Sequence, residues 1–147
     1  MEKVTSRNFK VDYYEKEDTL WVVRTHLIDE VHEIETEIEI DMAEMVVTDA
    51  RIIFRSYPIE HCPLIESNAK KLIGIKVDSE FSRNVMKIFM GPQGCPNIMT
   101  LLNISVPGII YFYYPHRLKA GKMQPEEWDY MIRTELKEAC LAHTLLE

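Results

Sequence analysis

From Glu33 to Asp41 apolar and charged positions alternate without a break. Ile34, Thr36, Ile38 and Ile40 fall on one side, and Glu33, Glu35, Glu37, Glu39 and Asp41 on the other. A period of two marks a strand with one face buried and one in water. Val46 to Tyr57 repeats the pattern, with Val46, Ala50, Ile52 and Phe54 predicted inward and Asp49, Arg51 and Arg55 outward. Antiparallel pairing sets these arginines opposite the glutamates, which favours that register by roughly a few tenths of a kcal/mol per pair. Upstream, Phe9 to Tyr14 and Leu20 to Ile28 read as two more strands, joined by the charged turn Glu15 to Asp18. Four strands in succession predict an antiparallel meander over residues 7–57.

Beyond Tyr57-Pro58 the period lengthens to about 3.6, that of a helix. Ile65, Ala69, Leu72 and Ile73 form an apolar stripe closed by Gly74, and Pro63 suits the first position of a helix beginning at Cys62. Asp78 is the expected cap of a second helix carrying Phe81, Val85, Ile88 and Phe89, which ends before Gly91-Pro92. A third starts at Cys95, has Pro96 in its first turn, carries Ile98, Leu101 and Leu102, and breaks at Pro107-Gly108. The stretch Ile109 to Tyr114 reads either as a continuing kinked helix or as a strand. Pro125, Glu126 and Glu127 open a last helix that places Trp128, Met131, Ile132, Leu136, Ala139 and Cys140 on one face. The expectation is a single α+β domain over residues 1–147, its antiparallel sheet at 7–57 packed against a helical part at 62–147.

Composition narrows the function classes. With 46% hydrophobic and 28% charged residues the 147-residue chain is an ordinary globular one, large enough to bury a core without staples. A net charge of -7 and no basic stripe predict no nucleic-acid partner. The first residues lack the apolar core of a signal peptide. The run Val106 to Tyr114, broken by Pro107 and Gly108, is too short to span a bilayer, so a cytoplasmic protein without membrane association is expected. Three cysteines in such a chain point to reduced thiols rather than a disulfide framework.

Cys62 and Cys95 share one local design, a cysteine at a helix start followed by proline. Each sulfur there meets free backbone N–H groups and the positive end of the helix dipole, which favour thiolate, the form that binds metals and attacks electrophiles. The competing explanation is a small residue needed at a helix start. Cys140, in mid-helix on an apolar stripe, is expected in the core. His32 ends the inward face of the glutamate-rich strand beside Asp29 and Glu30, and a neutral imidazole there would complete a site with the two thiolates. His61, next to Cys62, reads as a surface residue or a supplementary ligand. The glycines of Gly91-Pro92-Gln93-Gly94 lack the spacing and the lysine of a phosphate cradle. The aromatic group Tyr111 to Tyr114 fits a core or a dimer seam, and the glutamate run a solvated sheet face.

The order of these motifs resembles the bacterial family known as domain of unknown function 2889. The resemblance rests on Asp18-Thr19-Leu20-Trp21, Leu27-Ile28-Asp29 with His32, the alternating strand, Tyr57 to Cys62-Pro63, Leu72-Ile73-Gly74, and Gly94-Cys95 with Leu101-Leu102. It covers roughly residues 7 to 105 and implies no activity. In that family's pattern a histidine stands two residues after the second cysteine, where this chain has Asn97. More distantly, Thr36 to Asp41, Thr48-Asp49-Ala50, Cys62 to Gly74 and Cys95 resemble iron-sulfur scaffolds of the IscU and NifU type, which run from an antiparallel sheet into helices opened by cysteines. The first scaffold cysteine position falls near Glu30, and the histidine before the last cysteine is Gly94.

Three functions follow. The first is a metal site of His32, Cys62 and Cys95, suited to zinc, iron or an iron-sulfur cluster. The second is a non-catalytic interaction module without metal, with a protein partner or as a homodimer through its C-terminal helix. The third is a thiol-dependent enzyme with Cys62 or Cys95 as nucleophile.

Overall fold

A computed structural model describes residues 1–147. Four strands, β1 (Asn8–Glu17), β2 (Leu20–Ile28), β3 (Glu33–Asp41) and β4 (Val46–Ser56), pair antiparallel in the order β1-β2-β3-β4. The meander is as the alternation requires. Val23, Thr25 and Leu27 of β2 and Ile34, Thr36, Ile38 and Ile40 of β3 are buried on one face, while the glutamates face outward. The expected arginine–glutamate register also holds at its centre, where Arg51 stands opposite Glu37.

One inward assignment is corrected. The register shifts between Glu39 and Ile40, so that Ile40 pairs with Val47 and Glu39 with Asp49, leaving Thr48 as an extra residue. A bulge of one residue flips every side chain on one side of it. Val47, not Val46, therefore enters the core.

Helices follow the sheet, giving the α+β arrangement. A 3-10 helix spans Cys62–Leu72, then come α1 (Phe81–Phe89), α2 (Pro96–Ser105), a 3-10 turn at Pro107–Ile109, α3 (Ile110–Lys119), α4 (Pro125–Arg133) and α5 (Leu141–Thr144). The ambiguous stretch after Ile109 is thus helical. The chain divides into two compact units, Met1–Ile109 and Ile110–Glu147. In the first, α1 packs on α2 and α2 lies against β2 and β3. Phe81, Val85 and Phe89 of α1 and Ile98, Leu101 and Leu102 of α2 are buried there at 1% exposure or less. Each such side chain contributes about 1.5–3 kcal/mol by leaving water.

The helix after β4 departs most from its expected form. It is a 3-10 rather than an α-helix, and its three-residue period sorts the side chains into columns. Ala69 and Leu72 are buried in one column, whose Glu66 turns its Oε1 to accept the backbone N–H of Phe54 at 2.8 Å. Leu64, Ser67, Lys70 and Ile73 form an exposed column, so Ile73 leaves the stripe assigned to it. Three residues per turn keep Glu66, Ala69 and Leu72 in line along β4, where 3.6 would rotate them away. The chain leaves through Gly74, whose φ of 89° is the left-handed conformation that glycine adopts without strain. Its N–H then bonds to the carbonyl of Val47 at 2.8 Å.

The second unit is held by aromatic contacts. The Trp128 ring stacks on Tyr114 with centroids 5.5 Å apart and meets Tyr111 edge-on at 6.4 Å, and Tyr111 also contacts His143 at 5.9 Å. The long last helix is cut short. Thr134 turns its hydroxyl back to the carbonyl of Tyr130 at 2.7 Å and its backbone leaves the helical region. Cys140 consequently precedes α5 as an exposed residue instead of entering the core. The helical residues Pro96–Lys119 would suffice by length and composition to cross a bilayer, a broader apolar stretch than Val106 to Tyr114 suggests. A core helix passes the same test, and Ile98, Leu101 and Leu102 are fully buried within the first unit.

Candidate functional site

Cys62 and Cys95, 33 positions apart in sequence, line one cleft of about 480 Å³. The 3-10 helix supplies one wall. Its third column, Cys62, Ile65 and Asn68, lies in register along the cleft because residues three apart eclipse in this helix. The opposite wall is Pro92, Gln93, Gly94, Cys95 and Pro96, with Phe54 of β4, His61 and Leu64 completing it. The Asn68 side-chain amide donates to the carbonyl of Gln93 at 3.2 Å and ties the two walls together.

Gly94 fixes the position of Cys95. A Cβ at Gly94 would stand 1.8 Å from the carbonyl oxygen of Phe89, whose side chain is fully buried. Only a residue without a side chain lets the loop return this close to the end of α1. The turn is closed by the N–H of Gly94 donating to the carbonyl of Gly91 at 3.0 Å. Cys95 then sits in extended conformation just before Pro96, the first residue of α2. Both cysteines are free and partly exposed. Of the residues lining the cleft, none is Asp, Glu, Lys or Arg, in a chain where 28% of residues are charged.

His32 is not among the residues that line this cleft. It belongs to a hydrogen-bonded group with Arg7, Asp29 and Asn97. Asp29 Oδ1 accepts the backbone N–H groups of Val31 and His32 at 2.9 and 2.7 Å, and the carboxylate meets His32 Nδ1 at 3.0 and 3.1 Å. Arg7 donates through Nε to Asp29 at 2.9 Å and through Nη1 to Asn97 Oδ1 at 2.9 Å. Desolvation pushes the Asp29 carboxyl pKa up, but the N–H groups of Val31 and His32 and the His32 and Arg7 side chains outweigh it. The carboxyl is held well below the usual carboxylate range. An ionised Asp29 only accepts, so Nδ1 carries the imidazole proton and Nε2 presents its lone pair to the Asn97 amide at 3.3 Å.

The two groups meet along the chain at the start of α2, where Asn97 stands two residues after Cys95. No set of three His, Cys, Asp or Glu side chains has the spacing to hold a metal ion. The structure therefore brings Cys62 and Cys95 to one cleft, with His61 beside them, and keeps His32 in a separate network. Asn68, Gln93 and Arg7, which order these groups, carry no sequence signal, and Asn97 stood out only as a departure from the family pattern. The three-residue column of Cys62, Ile65 and Asn68 becomes visible only when the helix is known to be 3-10.

The outer sheet face is a ladder of ion pairs rather than an unbroken acidic patch. Arg24 pairs with Glu37 at 2.8 Å and Lys16 with Glu39 at 2.7 Å, and Thr48 donates to Glu39 at 2.8 Å. Such exposed pairs are screened by solvent and keep this face solvated.

No curated protein matches the chain, and no solved structure does. Residues 5–109, which run through the sheet, both cysteines and the Asp29–His32 pair to the last residue of the first compact unit, match the family described as protein of unknown function (DUF2889). The match covers more than two-thirds of the chain, which belongs to that family.

Proposed function

We propose that the protein binds a thiophilic metal, zinc or iron, or an iron-sulfur cluster, through the thiolates of Cys62 and Cys95. The observation that carries this reading is the convergence of two helix-start cysteines from distant parts of the chain on one uncharged cleft. Soft thiolate ligands select zinc, copper(I) or iron-sulfur clusters. When bound, the ion or cluster would supply a Lewis acid or an electron-transfer centre. Cys62 and Cys95 would hold it after losing their protons, with the hydrogen bond from Asn68 to Gln93 tying the two walls together. His32 joins as a ligand through Nε2 only if Asn97 releases it.

We propose a cytoplasmic location, where a reducing environment would keep the three cysteines as thiols. Metal and acid-labile sulfide measured in anaerobically purified protein test the proposal. Retention of metal that is lost in Cys62→Ser and in Cys95→Ser is expected. Apo protein whose two thiols alkylate freely refutes it.

The lack of a third converging ligand favours a second reading, an interaction module without metal. Ile59 and Leu64, at 62% and 71% exposure, would then be its contact residues. It predicts apo protein that associates with a partner or with itself.

A further inference from the structure

Two thiolates are half of a coordination sphere. Structural zinc takes four ligands in a tetrahedron, and iron-sulfur clusters are usually held by four cysteines. The chain brings two cysteines to the cleft, and no group of three His, Cys, Asp or Glu side chains within it could hold a metal ion. Resting on the metal-binding reading above, we infer that the other half comes from a second copy of this chain. Cys62 and Cys95 of two copies enclose one zinc ion across a two-fold axis.

Three features carry the inference. First, a two-fold axis through the metal makes the halves identical, and two ligands per copy give the four that zinc requires. Second, the cleft lining has no charged side chain. Two chains that each carry a net charge of -7 can bring these cleft walls together without setting like charges of the lining in contact, whereas the outer sheet face would oppose ladder to ladder. Third, large apolar residues beside Cys62 are exposed. Tyr57, Ile59 and Leu64 are large hydrophobic residues left in water by a single chain, and closing two clefts against each other would cover them around the metal. Zn–S bonds are about 2.3 Å long, so the sulfurs must reach the mouth of the cleft. Both cysteines are partly exposed, as this requires.

The experiment uses the full chain, purified anaerobically with reductant, stripped of metal and then titrated with zinc(II) alone. Sedimentation equilibrium and metal analysis are read together, and circular dichroism checks the fold of each variant. The expected result is one zinc per two chains and a mass of about twice 17.3 kDa, reverting to one chain on chelation. Cys62→Ser, Cys95→Ser and the corresponding alanine variants lose both the zinc and the doubling, and Cys140→Ser loses neither. In the cobalt(II)-substituted protein, the visible bands of a tetrahedral four-thiolate site are expected. One zinc per chain in a monomer overturns the shared site and leaves the dithiol reading standing. No retained zinc overturns the shared zinc site, and absence of iron and sulfide as well overturns the reading beneath it. A mass that chelation does not change also overturns the inference.

Discussion

Replacing Gly94 by alanine tests how tightly the fold places Cys95. The added Cβ would lie 1.8 Å from the carbonyl oxygen of Phe89, 2.1 Å from its carbon and 2.8 Å from the Met90 nitrogen. Real Cβ atoms do not approach closer than 3.0 Å, so the nearest contact is 1.2 Å too short. The obstructing atoms are all backbone, with no flexible side chain to move aside. Phe89 is anchored by a fully buried ring, and the neighbouring Met90 N–H is bonded to the carbonyl of Met86 at 2.9 Å. The loop must give instead, breaking the bond from Gly94 to Gly91 and the tie from Asn68 to Gln93. Two lost hydrogen bonds at about 0.5–1.5 kcal/mol each, with residual strain, amount to about 3 kcal/mol. That is a large part of a typical stability of about 5–15 kcal/mol. Gly74→Ala is the control: it has positive φ but nothing within 4 Å of the new Cβ, so the expected cost is about 1–2 kcal/mol. Urea unfolding midpoints at unchanged slope measure both, and alkylation rates of Cys62 and Cys95, resolved by peptide mass, report the cleft. Gly94→Ala is expected to be the more damaging and to speed alkylation of Cys95. A Gly94→Ala protein no less stable than Gly74→Ala, with unchanged alkylation, would refute this account of the loop.

The buried hydroxyls of Thr25 and Thr36, cross-strand partners on the inner face, have no hydrogen-bond partner. Thr36→Val should therefore raise stability by about 1–2 kcal/mol, and chemical denaturation giving a loss would show that the hydroxyl is satisfied in solution. The Asp29 carboxyl is depressed in the folded state, so its stabilisation is complete above the ordinary carboxylate range and is lost progressively as pH falls from that range through the lower folded-state value. Asp29→Asn should flatten that acid limb in unfolding midpoints measured from neutral to acidic pH, and an unchanged acid dependence would count against the Arg7–Asp29–His32 network. Leu102→Ala removes a fully buried side chain from α2 and should cost about 2–5 kcal/mol, which thermal unfolding will show. Cys140→Ser, at an exposed position, should leave stability within about 0.5 kcal/mol.

The four strands and their inner face were legible in the sequence because a strand's period is two and one face must leave water. Ile34 to Ile40 satisfy that with no information from elsewhere. The helices at Phe81 and Pro96 were equally legible, since their apolar residues recur at helical spacing and glycine and proline bound them. The bulge at Thr48 was not, because one extra residue is selected by how β3 and β4 close against each other. Nor was the 3-10 form of Cys62–Leu72. An α-helix explains Ala69 and Leu72 as well, and only the fit of Glu66, Ala69 and Leu72 along β4 selects the tighter period. The same selection sets Cys62 in line with Ile65 and Asn68 and turns it toward the cleft. The break at Thr134 that leaves Cys140 exposed depended on a local side-chain-to-backbone bond that competes with a good apolar stripe.

That Cys62 and Cys95 would each open a helical segment was a local matter, since a proline following a cysteine sets the first turn. Their meeting was decided by tertiary structure. It depends on a hydrogen bond between Asn68 and Gln93, which are distant in sequence, and on the return of the Gly94 loop against the end of the preceding helix at Phe89. His32 shows the other side of this dependence. The sequence placed it on the inward face of a strand end, and the fold directs its two nitrogens to Asp29 and Asn97 because these partners are brought within hydrogen-bonding distance.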